Sequence, residues 1–259
     1  MVLIFVKLKI HAHQLITKVP EVTLGFWVLK IIATTLGETG GDAVSMSLGT
    51  GYLVGTLIFA GIFLIAVSVQ IVSRTFHPLI YWVTIIATTT VGTTLADYCT
   101  RSIGVGYAGG STILLGLLFL SLFTWKRTLG TVAVETISTP KAEVFYWFTI
   151  MCSQTLGTAL GDWTADSAGL GYLGSVFIFG SLLAVVAVAY WKTNISRPLL
   201  FWTAFILTRP LGAVVGDFLD KPHDHGGLAL SRFTASAVLI LAMGVMMVAV
   251  PQRAAVKSH

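Results

Sequence analysis

Four aspartates in this chain occupy one repeated frame: a Trp, a Gly ten residues later, a small residue fourteen later and an Asp fifteen later. The copies are Trp27, Gly37, Gly41, Asp42; Trp82, Gly92, Ala96, Asp97; Trp147, Gly157, Gly161, Asp162; and Trp202, Gly212, Gly216, Asp217. Each Asp ends a membrane-length apolar stretch, where an acid is costly and marks a functional site by default. Residues three to four apart share a helix face, so each Asp heads a stripe: Thr35, Glu38, Asp42; Thr90, Thr93, Asp97; Thr155, Thr158, Asp162; and Pro210, Ala213, Asp217. A threonine taken singly bonds back to its own helix carbonyl. Together, three stripes of hydroxyl and carboxylate oxygen, without Cys or His, offer a donor set for hard cations such as Mg²⁺, Ca²⁺, Mn²⁺ or Na⁺, or for protons. The fourth stripe is broken by Pro210, and Arg209 stands where the others have Thr34, Thr89 and Gln154. A kinked helix or a fixed counter-charge is expected there.

Charge partners divide the repeats in two. Repeats one and three hold acid pairs at four-residue spacing, Glu38 with Asp42 and Asp162 with Asp166, which repel unless a proton, a cation or a base from another helix intervenes. Repeats two and four instead pair acid with base, Asp97 with Arg101 and Asp217 with Lys221. Arg209 and Arg232 are the remaining bases able to neutralise the acid pairs. The expected cation site is therefore Glu38, Asp42, Asp162 and Asp166, with Thr35, Thr155 and Thr158 lining the approach and Asp97 and Asp217 held by their bases. His223, Asp224 and His225 read as a solvated turn, and His11 and His13 as exposed. Lys30, one turn inside Trp27, is expected to snorkel to the cytoplasmic surface.

The elements that carry these residues are apolar and long. Of 259 residues 55% are hydrophobic and 10% charged, with a mean hydropathy of +0.87, far from the roughly 25% charged of soluble domains. Runs near 22 to 44, 52 to 72, 77 to 99, 106 to 124, 143 to 164, 172 to 191, 198 to 219 and 228 to 250 each approach the ~20 residues that span a bilayer. The sequence thus predicts an all-α membrane protein with eight transmembrane helices arranged as four two-helix repeats. Even-numbered units keep one orientation, so their axis runs along the membrane normal, as pseudo-fourfold or nested twofold symmetry. The expected segments are a cytoplasmic leader 1–17, repeats at 18–73, 74–125, 143–192 and 193–250, a cytoplasmic connection 126–142, and a cytoplasmic tail 251–259.

Eleven of the sixteen Lys and Arg flank or connect the repeats, and eight of the eleven acids lie at the opposite helix ends. By the positive-inside bias both termini are cytoplasmic and the motif acids face outward. The net charge of +5 reflects this topology and not nucleic-acid binding. The Trp residues suit an interfacial belt or packing between repeats. Glycines four apart permit close helix approach, a device repeated in the second helices by Gly51, Tyr52, Gly55; Gly106, Tyr107, Gly109; and Gly171, Tyr172, Gly174. The opening residues make no cleaved signal peptide, and Cys99 and Cys152 have no ligand or redox spacing.

Four tandem two-helix units with this fixed Trp, Gly and Asp spacing resemble a family of bacterial membrane-anchored proteins built from four copies of a repeat of unknown function. The resemblance spans Lys18 to Val250 and implies residence in the bacterial inner membrane but no chemistry. No P-loop, HExxH or nucleophile elbow is present, so no enzyme and no covalent cofactor are expected. The favoured expectation is transport of an inorganic cation, divalent with Mn²⁺ first, with protons as coupling ions and lipid as the other partner. A passive cation channel, or a structural or partner-binding protein whose acids form salt bridges, are the alternatives. Oligomeric state is not legible.

Overall fold

A computed structural model describes residues 17–255. The leader, with His11 and His13, and the last tail residues lie outside the described residues. Eight long helices follow one another: α1 (Leu24–Asp42), α2 (Tyr52–Val72), α3 (Pro78–Asp97), α4 (Tyr107–Leu129), α5 (Pro140–Asp162), α6 (Gly171–Lys192), α7 (Arg197–Asp220) and α8 (Arg232–Ala249). Their starts are encoded locally. The hydroxyls of Thr23 and Thr139 accept from the backbone N–H groups of Phe26 and Ala142, both at 3.3 Å, satisfying amides the helix leaves free. Pro78, Pro140 and Pro198 sit in first turns, where a missing N–H costs nothing.

The odd-numbered helices form a closed inner ring in which α1 packs on α3, α3 on α5, α5 on α7, and α7 back on α1. Each even-numbered helix lies outside, chiefly against the inner helix that follows it in the chain, and α8 completes the circuit on α1. Burial follows this division. The apolar windows of α3 and α7 are each 72% buried, whereas those of α2 and α8 are 11% buried. Outer helices present Leu57, Ile65, Phe119, Phe177, Val185 and Val248 to the surroundings, and such a continuous apolar surface needs an apolar solvent. Among the described residues six helices are long and apolar enough to cross a membrane: α2, α3 (run on to Ser102), α4, α6, α7 and α8. The inner helices α1 and α5 are more polar, carrying Lys30 and Glu38, and Lys141, Glu143 and Gln154.

Ring closure depends on the motif glycines. A Cβ on Gly37 would meet Thr89, on Gly92 the backbone of Gln154 and Thr155, on Gly157 Arg209, and on Gly212 Thr34. Each glycine therefore receives, from the next inner helix, the residue seven after its Trp. The second-helix glycines work differently. Gly51 and Gly106 have φ of 79° and 73°, and Gly171 65°, so they serve the left-handed backbone where the chain enters the outer helix. Packing is not the main role of these three, whereas Gly55 is buried against Ser45 and Thr94 as the reading from sequence expects.

The two ends of the ring are unlike. At the end where the inner helices begin, an aromatic floor fills the bore: Phe26 lies 5.6 Å from Trp82 and 6.3 Å from Phe201, and Tyr81 and Tyr146 share a 2.7 Å hydrogen bond. Trp82, Trp147 and Trp202 are at most 3% exposed. They pack between repeats and do not form a belt. The seam between α8 and α1 has no peptide connection and is closed by a clasp, with Glu21 N–H donating to Arg253 C=O at 2.8 Å and Ala255 N–H to Val19 C=O at 2.8 Å. Nearby, Lys18 Nζ pairs with Glu143 at 2.6 Å and donates to the Ile71 carbonyl at 2.9 Å, tying the chain before α1 to α2 and α5.

Candidate functional site: a carboxylate ring at one end of the bore

The four motif aspartates close the inner helices at the end opposite the aromatic floor, and each is at most 3% exposed. In repeats one to three a single π-helical turn follows the Asp directly, at Ala43–Ser47, Tyr98–Ser102 and Trp163–Ser167. Such wide turns are over-represented at functional sites. In repeat four α7 continues to Asp220 instead.

Two bases stitch the aspartates in pairs. Arg101 Nε lies 2.8 Å from Asp97 of its own helix face, and its NH2 lies 3.2 Å from Asp162 of the next unit. Lys221 Nζ lies 3.0 Å from Asp217 and 2.9 Å from Asp42, again its own unit and the next. The expected local pairs at four-residue spacing are present. The bridge to the following unit is the part that sequence reasoning missed, because it depends on which helices become neighbours. Burial works against the charge of Lys221, but Asp217 and Asp42 outweigh it and hold the ammonium well above the ordinary lysine range.

The fourth seam carries a substitution. Tyr52 and Tyr107 open their outer helices, and Tyr172 is the second residue of α6. In the last unit Arg232 opens α8 in their place and lies 2.7 Å from Asp220 and 3.7 Å from Asp42. Asp220 was not among the sequence candidates. It lies three residues beyond the motif Asp, and only the unbroken helical course of α7 turns it inward.

One turn deeper, Arg209 is 0% exposed and crosses the bore. Its NH2 donates to Glu38 Oε2 on α1 at 2.9 Å, to Thr93 Oγ1 on α3 at 2.6 Å, and to Thr158 Oγ1 on α5. One guanidinium nitrogen from α7 thereby touches all three other inner helices. Helix α7 runs through Pro210 without interruption, so the fixed counter-charge, and not a break in the helix, is what the altered fourth stripe supplies.

The carboxylates form two close groups. Oxygens of Glu38, Asp162 and Asp217 lie within 4.8 Å of one another, as do those of Asp42, Asp217 and Asp220. Around them, six carboxylates (Glu38, Asp42, Asp97, Asp162, Asp217, Asp220) face four bases (Arg101, Arg209, Lys221, Arg232), leaving a formal charge of −2.

Several sequence candidates lie elsewhere. Asp166 is exposed in the turn after α5 and joins neither group. Thr35 and Thr155 are buried but bond back to Ile31 and Met151 carbonyls at 2.9 and 3.0 Å. Thr158 touches Arg209. His223 and His225 sit on an exposed turn, with His223 Nδ1 2.9 Å from the Gly227 carbonyl. Lys30 does not snorkel. It is 0% exposed, with Nζ 3.7 Å from the centre of the Phe205 ring, because the face of α1 that carries it is turned into the bore and away from the surface.

A ring of polar inner helices sheathed by apolar ones, with a buried acid end, defines an all-helical protein built from repeated two-helix units with several membrane-length helices. The chain belongs to the family described as Repeat of Unknown Function (DUF347), whose repeat matches residues 25–76, 80–131, 145–196 and 200–250. No curated protein and no solved structure matches it.

Proposed function

We propose that this protein is a multi-pass transporter of an inorganic cation in the bacterial inner membrane, with both termini cytoplasmic. All eight helices span the bilayer in this reading, related by pseudo-fourfold symmetry about its normal, the polar α1 and α5 being shielded by their neighbours. The observation that carries it is the group formed by Glu38, Asp162 and Asp217, three buried carboxylates with oxygens within 4.8 Å of one another. Like charges that close repel unless a proton or cation lies between them. The formal −2 of the whole cluster matches one divalent ion or two protons, which makes proton exchange the natural coupling. All-oxygen donors favour a hard ion, with Mn²⁺ the first choice. Arg209, spanning the bore, argues against an open passive channel, since a fixed guanidinium repels cations along that line.

A second reading, that the acids only hold the ring together, is favoured by the basic partner within 4.0 Å of each of Glu38, Asp42, Asp97, Asp162, Asp217 and Asp220. The elemental content of cells making the intact protein or the Asp42→Asn, Asp162→Asn variant, at matched membrane abundance, separates the two. Transport predicts a change in one metal seen only with the intact protein, the sign giving the direction. Loss of the variant from the membrane, with no metal changing for the intact protein, supports the structural reading.

A further inference from the structure

Between the acid end and the aromatic floor, the bore holds buried polar groups that the cation reading does not use. Lys30 Nζ, Thr89 Oγ1, both amide atoms of Gln154, and Nε and NH1 of Arg209 have no hydrogen-bond partner among the described residues, and all four residues are 0% exposed. They come from all four inner helices and occupy neighbouring levels. Thr89, Gln154 and Arg209 share the position seven after each Trp, and Lys30 lies one turn nearer the floor. Phe205, against which Lys30 rests, is one turn before Arg209 on α7.

The chemistry of this level is that of donors. A lysine ammonium offers three N–H bonds, the guanidinium atoms in question three more and the Gln154 amide another two, against few free acceptors. Glu38, the nearest acid along α1, lies eight residues beyond Lys30, about 12 Å of helical rise, and is already engaged by Arg209. With Lys30 protonated, Lys30 and Arg209 against Glu38 leave a formal +1 at this depth. An isolated buried charge is among the costliest arrangements a protein can hold, and burial is supported when a partner of opposite sign supplies hydrogen-bond acceptors.

We propose that this mid-bore level is a binding site for a small monovalent inorganic anion of halide type, held by Lys30 Nζ, the Gln154 amide and the Nε and NH1 donors of Arg209. It goes beyond the cation site, which lies at the other side of Arg209, and each can be present without the other. The aromatic floor closes the level toward one end.

The test is thermal unfolding of the full chain in detergent or nanodiscs, titrated with chloride or bromide against gluconate at constant sodium and ionic strength. A saturable rise of roughly 5–10 °C is expected at a hundredfold excess over the dissociation constant, with gluconate inert. Lys30→Met, of similar length and uncharged, should remove the halide dependence. No halide-specific shift in the intact protein, or an equal shift in the variant, would overturn the proposal and leave water or a neutral lysine at this level. Should the variant fail to fold, bromide anomalous scattering from crystals of the intact protein decides the matter. A peak between α1, α5 and α7 supports the site, and its absence at saturating bromide refutes it.

Discussion

Replacing Arg209 with methionine is expected to destabilise the protein by about 3–5 kcal/mol, the cost of stripping one partner from a buried ion pair. The variant keeps an unbranched apolar stem and removes the guanidinium, so the loss combines the ion pair with the hydrogen bonds that group makes. Glu38 would remain 3% exposed with its carboxylate near Asp162 and Asp217, and Thr93 and Thr158 would each lose the donor that joins α3 and α5 to α7. Adding Glu38→Gln removes the stranded charge and should recover most of the loss. A double-mutant cycle from denaturant unfolding in micelles therefore gives a large coupling energy if the pair is as buried as described. Additive effects of the two substitutions would contradict the geometry.

The second large effect belongs to the ring's interlock. Gly92→Ala is expected to cost about 2–3 kcal/mol by overpacking, because the added Cβ would stand 2.9–3.0 Å from backbone atoms of Gln154 and Thr155, and backbone cannot rotate aside as a flexible side chain can. Gly92→Leu should prevent assembly of the folded monomer altogether. Gly180 is the control. It lies within the outer helix α6, and a methyl added there would meet nothing within 4 Å, so Gly180→Ala should be neutral or stabilising by up to about 1 kcal/mol through helix propensity. Unfolding midpoints of the two alanine variants test the contrast directly. Equal midpoints would mean that α3 and α5 are not in close contact.

The elements were legible because each has a local cause. Membrane-length apolar runs, hydroxyl caps and first-turn prolines mark the eight helices to within a few residues, and the fixed spacing from Trp to Asp gives the four units. Arg101 beside Asp97 and Lys221 beside Asp217 followed from helical periodicity alone. What periodicity does not encode is which helix becomes whose neighbour. The bridges from Arg101 to Asp162 and from Lys221 to Asp42 appear only once the ring closes. Asp166 stands exposed in the turn after α5, apart from both carboxylate groups, because spacing along a helix does not say which residues of the following turn face inward. Lys30 failed because snorkelling was argued from depth along α1, and it is rotation about α1 that sends the side chain into the bore. Gly157 offered a usable signal: a motif glycine is where the longest side chain of the next unit, Arg209, must pass.

The clasp between Val19–Glu21 and Arg253–Ala255 means that the ring has no privileged beginning. Three of its four seams are crossed by peptide and the fourth by hydrogen bonds, yet the helices on either side meet in the same way at all of them. A gene opened within the 130–139 connection, with its old ends joined by a linker, would spell the helices in a different order and trace the same circle. The unit that follows the others in the chain and the one that precedes them are, in space, simply adjacent. What distinguishes the four units is therefore their chemistry, above all the Arg209 and Arg232 of the last, and not their place in the order of synthesis.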